Sequence, residues 1–433
     1  MRHLALGFWL VVGTAGWSQQ ADPEIARYVD SIKAIDNHAH VIAADPADRG
    51  YDQLRCDQLP DGGAPPASWR FNAEQAAAIR ELYGFVPKDD SDAEMRRVAE
   101  ARGKAMADHK SDPQGWVLGK AGIATVLANR TALSPEMKAP LVRWVPYEDA
   151  LLFPLDNTEL KKLNPDREIL FRMADELRGS YFKQAGVSGS PPTLDEYVSD
   201  VVRPILQRQH DDGAVAVKFE AAYLRALDFA EVSPAEAARV YAKFSHGGAP
   251  SAAEYKIVQD YLFKQIALEA GRMKLAVHIH TGSGCGSYFN DPGSDATLLS
   301  PMLNDPDLRK TNFVLLHGNW TQERKVIALI LKPNVYVDTS VIEYFLTPKE
   351  LAGILKMWLE QMPEHVLFGT DASPGSPGQS WPETTVWGAS RFRRSLALAL
   401  TEMVQEGSIS RERAMQIADR VLRGNAKELY SLP

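Results

Sequence analysis

Residues 34–40 read AIDNHAH, an apolar start followed by two histidines one residue apart where the apolar run ends. Side chains alternate along a strand, so His38 and His40 point to the same side. Seven further apolar runs of this kind follow. KAIDNHAH (33–40), GIATVLAN (122–129), LVRWVPYE (141–148), AVAVKFEA (214–221), LAVHIHTG (275–282), NFVLLHGN (312–319), NVYVDTS (334–340) and HVLFGTDA (365–372) are each bounded by turn residues and predict strands. Stretches with helical spacing lie between most of them, among them 251–272, opened by Ser251 with Glu254 at capping-box distance, and 347–362. Continuous apolar strands alternating with helices imply a parallel sheet covered by helices, and eight of them favour closure into an α/β, TIM-like (β/α)8 barrel over an open doubly wound sheet. Segments 45–115 and 154–204 are too long for simple connections, and they are expected to be helical insertions after strands 1 and 3, capping the barrel mouth.

The 433 residues are 45% hydrophobic and 24% charged, which suits a soluble globular chain with a full core. A net charge of −8 with no basic run or stripe argues against a nucleic-acid partner. The opening MRHLALGFWLVVGTAGWSQQ has a basic start, an apolar run over 4–12 and small residues over 13–18. It reads as a signal peptide spanning 1–18, ahead of a single barrel domain over 19–433, and implies a secreted or periplasmic protein with no stable membrane insertion after cleavage. Two cysteines, Cys56 and Cys285, allow at most one bridge and exclude a thiolate metal site. Cys285 lies in the glycine-rich TGSGCGS and, lacking an evident base, reads as a loop residue near the site.

Five histidines, His38, His40, His278, His280 and His317, fall at the carboxyl ends of predicted strands, where barrel enzymes build their sites. Asp371 closes the eighth strand, which in a closed barrel lies beside the first. Imidazoles from strands one and five with this carboxylate make the open N/O set of a catalytic divalent ion.

DNHAH, HIHTG, LLHGN, FGTDASP and the closing RGNAKELYSL (423–432) together resemble the landmarks of the amidohydrolase superfamily, in particular the amidohydrolase-related branch that holds aminocarboxymuconate-semialdehyde decarboxylase, lactonases and related metal-dependent hydrolases. DNHAH and VKFEAAYLR are also similar to the amidohydrolase-like part fused to glutamine-synthetase-like domains in some proteins. The resemblance implies one divalent ion, zinc being the expected one, held by His38, His40, His280 and Asp371, with His317 near the bound water or substrate. His278 is then either a supporting partner of the ligands or a packed core residue. Lys218 is either a carboxylated bridge between two metals, as in binuclear members, or an ammonium that binds a substrate carboxylate with Arg225 as helper; the branch resembled favours the ammonium.

A metal-activated water can cleave an amide, lactone or ester of a small molecule, with Asp371 moving the proton and His317 polarising the carbonyl or acting as acid. The same parts support non-oxidative decarboxylation of an unsaturated or aromatic acid, and a third reading is an inactive barrel serving as a secreted binding protein. Trp381 and Trp387, in the Pro- and Gly-rich stretch after Asp371, are candidates for lining the pocket. Asn319 and Trp320 are further candidates at the mouth. Arg391, Arg393 and Arg394, opening the next helix, are expected to be solvated. Homo-oligomerisation is left open.

Overall fold

The structure is a computed structural model that describes residues 20–43, 45, 47–59, 72–374 and 380–433. The expected leader at 1–18 lies outside the described residues. All eight expected strands form: β1 (Ala34–Ala39), β2 (Ile123–Asn129), β3 (Val142–Val145), β4 (Ala216–Phe219), β5 (Ala276–His280), β6 (Phe313–Leu316), β7 (Val335–Asp338) and β8 (Val366–Leu367). β1 to β3 and β4 to β8 make two sheets in chain order, every pairing parallel. Parallel bridges join the sheets at both seams, Trp144 to Ala214 and Tyr147 to Lys218 on one side, Ala39 to Ala372 on the other. This is the α/β, TIM-like (β/α)8 arrangement, with β1, β4, β5, β6 and β8 buried throughout and β2, β3 and β7 partly open.

Alternation sorts the strand residues. Ile35, Leu127, Val145, Ala216, Ala276, Val314, Leu316 and Leu367 form a small cluster apart from the main core, closed by Ala426, Leu429 and Tyr430 of the C-terminal segment. The opposite faces join the large core beneath the helices. The helix Ala252–Arg272 starts with the capping box of Ser251 and Glu254, and Pro348–Leu359 with that of Thr347 and Glu350. Between β1 and β2 lie the helices Ala73–Tyr83, Asp92–Asp108 and Pro113–Ala121; between β3 and β4 the longest is Glu168–Ala185.

Two expectations are corrected. Arg391 and Arg393 are buried, not solvated: Arg391 pairs with Glu74 and donates to the carbonyls of Glu343 and Leu346, while Arg393 donates to those of Val29, Ile32 and Gly122. Only Arg394 is exposed, and it also reaches Glu74 at 3.2 Å. Nor is Cys285 a plain loop residue. It is bonded to Cys56 across 229 positions, which ties the segment after β1 to the loop after β5.

Candidate metal centre

β1 carries register shifts on both sides of Asp36, and its end leans on β8. Asp36, fully buried, accepts from the Thr370 amide at 3.0 Å and its hydroxyl at 2.6 Å, and the Asp371 amide donates to the His38 carbonyl at 2.7 Å. These bonds bring the carboxylate of one strand end against the imidazoles of the other. Asp371 Oδ1 lies 3.0 Å from His38 Nε2 and 3.1 Å from His40 Nε2. His317, first residue after β6, packs its ring 5.2 Å from that of His38, and His280 lies 4.5 Å from His317. Asp371 and His317 hold φ of 50° and 64°, a left-handed backbone that non-glycine residues seldom adopt and that concentrates at functional sites.

Among the described residues two groups place their ligand atoms within 4.8 Å of one another: His38, His317 and Asp371, and beside them His40, Asp52 and Glu220. His280 joins the first through its contact with His317 rather than as a member. Asp52 and Glu220 are additions that the sequence patterns did not single out. Glu220 directly follows β4, a placement too common to select, and Asp52, deep in the segment after β1, carries no local signal.

The tautomers follow from the outer bonds. His40 Nδ1 donates to the Tyr51 carbonyl at 2.9 Å and His317 Nδ1 to that of Ser340 at 2.9 Å, leaving each Nε2 lone pair free. His38 Nδ1 meets the Asn129 side-chain nitrogen Nδ2, while Asn129 Oδ1 has no hydrogen-bond partner among the described residues. Meanwhile, among the described residues, His280 Nε2 and Lys218 Nζ are buried with no hydrogen-bond partner, and the buried His38 Nε2 and Asp371 Oδ1 have only the contacts within this group. Unsatisfied buried nitrogen and oxygen lone pairs converging on one spot are what a divalent cation would satisfy. The donor set therefore fits the expected ion.

Burial, followed by the nearby Lys218 charge, holds His38 well below the usual histidine value; burial followed by His317 does the same to His280, and burial foremost pushes His317 down to about 4. His40 goes the other way: burial, the largest influence, lowers it, but the Asp52 and Asp371 carboxylates together outweigh burial and raise it. Although burial raises it, Asp371 is held well below the carboxylate range by His38 and His40. Its side chain is 17% exposed, the most open of the ligand set, so a small molecule can reach it.

His278 is resolved as a supporting residue. Its Nε2 meets the Tyr430 hydroxyl at 2.7 Å; that hydroxyl bonds Asn37 Oδ1, and Asn37 Nδ2 donates to Asp338 Oδ2 at 2.9 Å. Asp338 Oδ1 in turn accepts from the His317 amide at 2.9 Å and the Ser340 hydroxyl at 2.8 Å. A buried chain thus runs from the C-terminal segment to His317. Tyr430→Phe removes its middle link and is expected to lower stability by about 1–3 kcal/mol, read from the urea midpoint, with metal content unchanged.

The other candidates separate. Lys218 is fully buried inside β4, and its charge acts on His38, His278, His280 and His317. Arg225 is corrected: its guanidinium pairs with Asp260 at 2.8 Å, bonds Gln259 and lies over Phe229, so it is already committed away from Lys218. Trp381 and Trp387 are buried in the main core, and the residues 375–379 between Asp371 and Trp381 lie outside the described set. Asn319 is fully buried, its amide donating to Thr281 at 3.2 Å, and Trp320 stacks on Phe345. A cavity of about 480 Å3 lined by Arg49, Asp52, Gln53, Arg55 and Arg172 shares Asp52 with the His40 group.

The profile of the amidohydrolase family matches residues 184–432. The chain belongs to the amidohydrolase family. This amidohydrolase is also similar to the protein fluG of Emericella nidulans, 28% identical over 236 residues that make up 51% of this chain and 26% of that protein. It thus spans well under two thirds of that relative. Among solved structures, a protein of Lactobacillus casei ATCC 334 described as a metal-dependent hydrolase superposes with TM-score 0.60 at 16% identity, covering 94% of this chain and 97% of that one. The uronate isomerase of Thermotoga maritima gives 0.60 at 16% over 94% and 96%, and the glucuronate isomerase of Caulobacter crescentus 0.62 at 13% over 94% and 93%. At these identities the superpositions speak for the shared barrel.

Proposed function

We propose that this amidohydrolase hydrolyses an amide, lactone or ester bond of a small molecule with one divalent ion, zinc by the chemistry of its donors, held by His38, His40, His280 and Asp371. The observation that carries the reading is the gathering of buried His38 Nε2 and His40 Nε2 at 3.0 and 3.1 Å from Asp371 Oδ1, with His317 beside His38 and the unpartnered Nε2 of His280 on the ring next to His317. A bound ion would supply Lewis acidity, polarising the scissile carbonyl and acidifying water. The protein's own groups do the rest. Asp371, ionised through the working range by its two histidines, takes the proton of the attacking water and returns it to the departing nitrogen or oxygen, so the acid and the amine or alcohol form with atoms balanced. His317 differs from the sequence expectation: with its value near 4 it is a neutral imidazole, and with Nδ1–H on Ser340 its Nε2 accepts a hydrogen bond from water or ligates. It does not start as an acid.

Lys218 serves as the ammonium opposite a substrate carboxylate; as a carbon dioxide adduct it would bridge a second ion, and two metal equivalents would replace the first assignment by that one. The Cys56–Cys285 bond and the leader-like start support an exported, oxidising location.

The test is turnover of a panel of amides, lactones and esters by chelated and zinc-restored enzyme. Hydrolysis that returns only with the ion is expected, with the acid limb of kcat/KM below about pH 5. A histidine with a depressed value becomes charged only as the pH falls through it, so His317 does not add a limb near 6.5. Metal-independent turnover, or loss of carbon dioxide without hydrolysis, would refute the reading.

A further inference from the structure

Four arginines are buried among the described residues: Arg130, Arg167, Arg391 and Arg393. Three have their charge answered or their donors filled. Arg130 pairs with Asp48 at 2.7 Å, Arg391 with Glu74, and Arg393 donates to three carbonyls. Arg167 is the exception. It is 3% exposed and, among the described residues, donates one hydrogen bond, from Nη1 to the Cys285 carbonyl at 2.9 Å, while its buried Nη2 has no partner. Among the described residues no carboxylate comes within 4.0 Å of it.

Burying a guanidinium without a counter-charge or a full set of acceptors is unfavourable, so an unanswered one is a place where an anion gains. The surroundings place it near the metal centre. Arg167 sits just ahead of the helix Glu168–Ala185, in the long connection between β3 and β4, and its guanidinium lies 5.5 Å from the Phe289 ring centre. Phe289 lies 6.0 Å from the His280 ring and 5.1 Å from Tyr223, which itself packs 4.7 Å from His280. Arg167 is therefore two ring contacts from a proposed ligand. The same loop holds it: the Cys285 amide reaches the Tyr223 hydroxyl at 3.4 Å while the Cys285 carbonyl holds Arg167, and Cys285 is fixed to Cys56. Gly286, at φ +89°, lets the guanidinium lie against the backbone, since a Cβ there would stand 2.9 Å from Nη1.

We infer that Arg167 is the anchor for a distal carboxylate on the substrate, bound at the far end from the scissile bond and separate from the group that Lys218 faces, and hence that the substrate carries an acid at its distal end. This rests on the metal-centred reading above for the other end of the substrate. The planar fork of arginine suits a carboxylate, whose two oxygens take parallel donors, and the aromatic walls of Phe289 and Tyr223 suit a short apolar spacer between the two ends.

The probes are metal-binding hydroxamates with and without the distal acid: adipic and suberic acid monohydroxamates against hexanohydroxamate and octanohydroxamate, titrated calorimetrically into zinc-loaded protein. The expected result is at least about tenfold tighter binding of one of the acids than of its neutral counterpart. That preference should vanish in Arg167→Gln and survive in part in Arg167→Lys, which keeps the charge without the fork. Neutral-hydroxamate affinity should be the same in all three proteins. No preference in the wild type, or a preference unchanged in Arg167→Gln, would overturn the assignment. If neither type binds, the metal-centred reading fails, and adipate alone decides on Arg167: binding at least about tenfold weaker in Arg167→Gln than in wild type supports it, and equal or absent binding to the two overturns it.

Discussion

Asp371→Asn is expected to lower kcat/KM by about 10^3-fold or more, because it removes a ligand oxygen and the group that moves the proton in one step. The substitution is chosen to spare the fold. Asn has the same size and, like Asp, tolerates the positive φ of 50° at this position, so the Asp371 amide can go on donating to the His38 carbonyl. An amide supplies a much weaker ligand than a carboxylate and cannot take up a proton at neutral pH. Steady-state kinetics on zinc-supplemented enzyme check it, together with a melting temperature close to wild type. A loss below about tenfold would mean that Asp371 is neither ligand nor base.

The second large effect concerns stability. The bond between Cys56 and Cys285 closes a loop of 229 residues, and removing such a long crosslink from a chain typically costs about 2–4 kcal/mol. The double variant Cys56→Ser with Cys285→Ser should therefore unfold at a clearly lower urea midpoint, and dithiothreitol should bring the wild type to a similar value. Beyond the global loss, the Cys285 amide reaches Tyr223, which packs on His280, and its carbonyl holds Arg167, one ring further out. Activity should fall with reduction even under conditions where the barrel stays folded. Identical midpoints with and without reductant would contradict the effect.

The barrel was legible because its signal is repetitive. Eight buried parallel strands must be apolar on both faces, and a run such as NFVLLHGN shows that directly, as does Ser251 with Glu254 at the start of a helix. Strand ends were legible for a related reason: histidines at the carboxyl end of an apolar run are rare enough to stand out. What stayed hidden depends on pairing between distant segments. Nothing local marks Asp36 as the brace of Thr370, Asn37 as a step between Tyr430 and Asp338, or Glu74 as the partner that draws Arg391 into the interior. Arg225 shows the opposite error, a cation near the right strand end whose helix neighbour Asp260 holds it. Two lone cysteines could be read as a bridge or as none, and only their proximity in space decides.

The proposed chemistry requires that His38, His40, His280 and Asp371 hold an ion. Plasma mass spectrometry on the purified protein, after dialysis against zinc and removal of loose ions, measures this directly. One equivalent per chain, reduced to a small fraction in Asp371→Asn, is the predicted result. A wild type that retains no divalent ion under these conditions would contradict it.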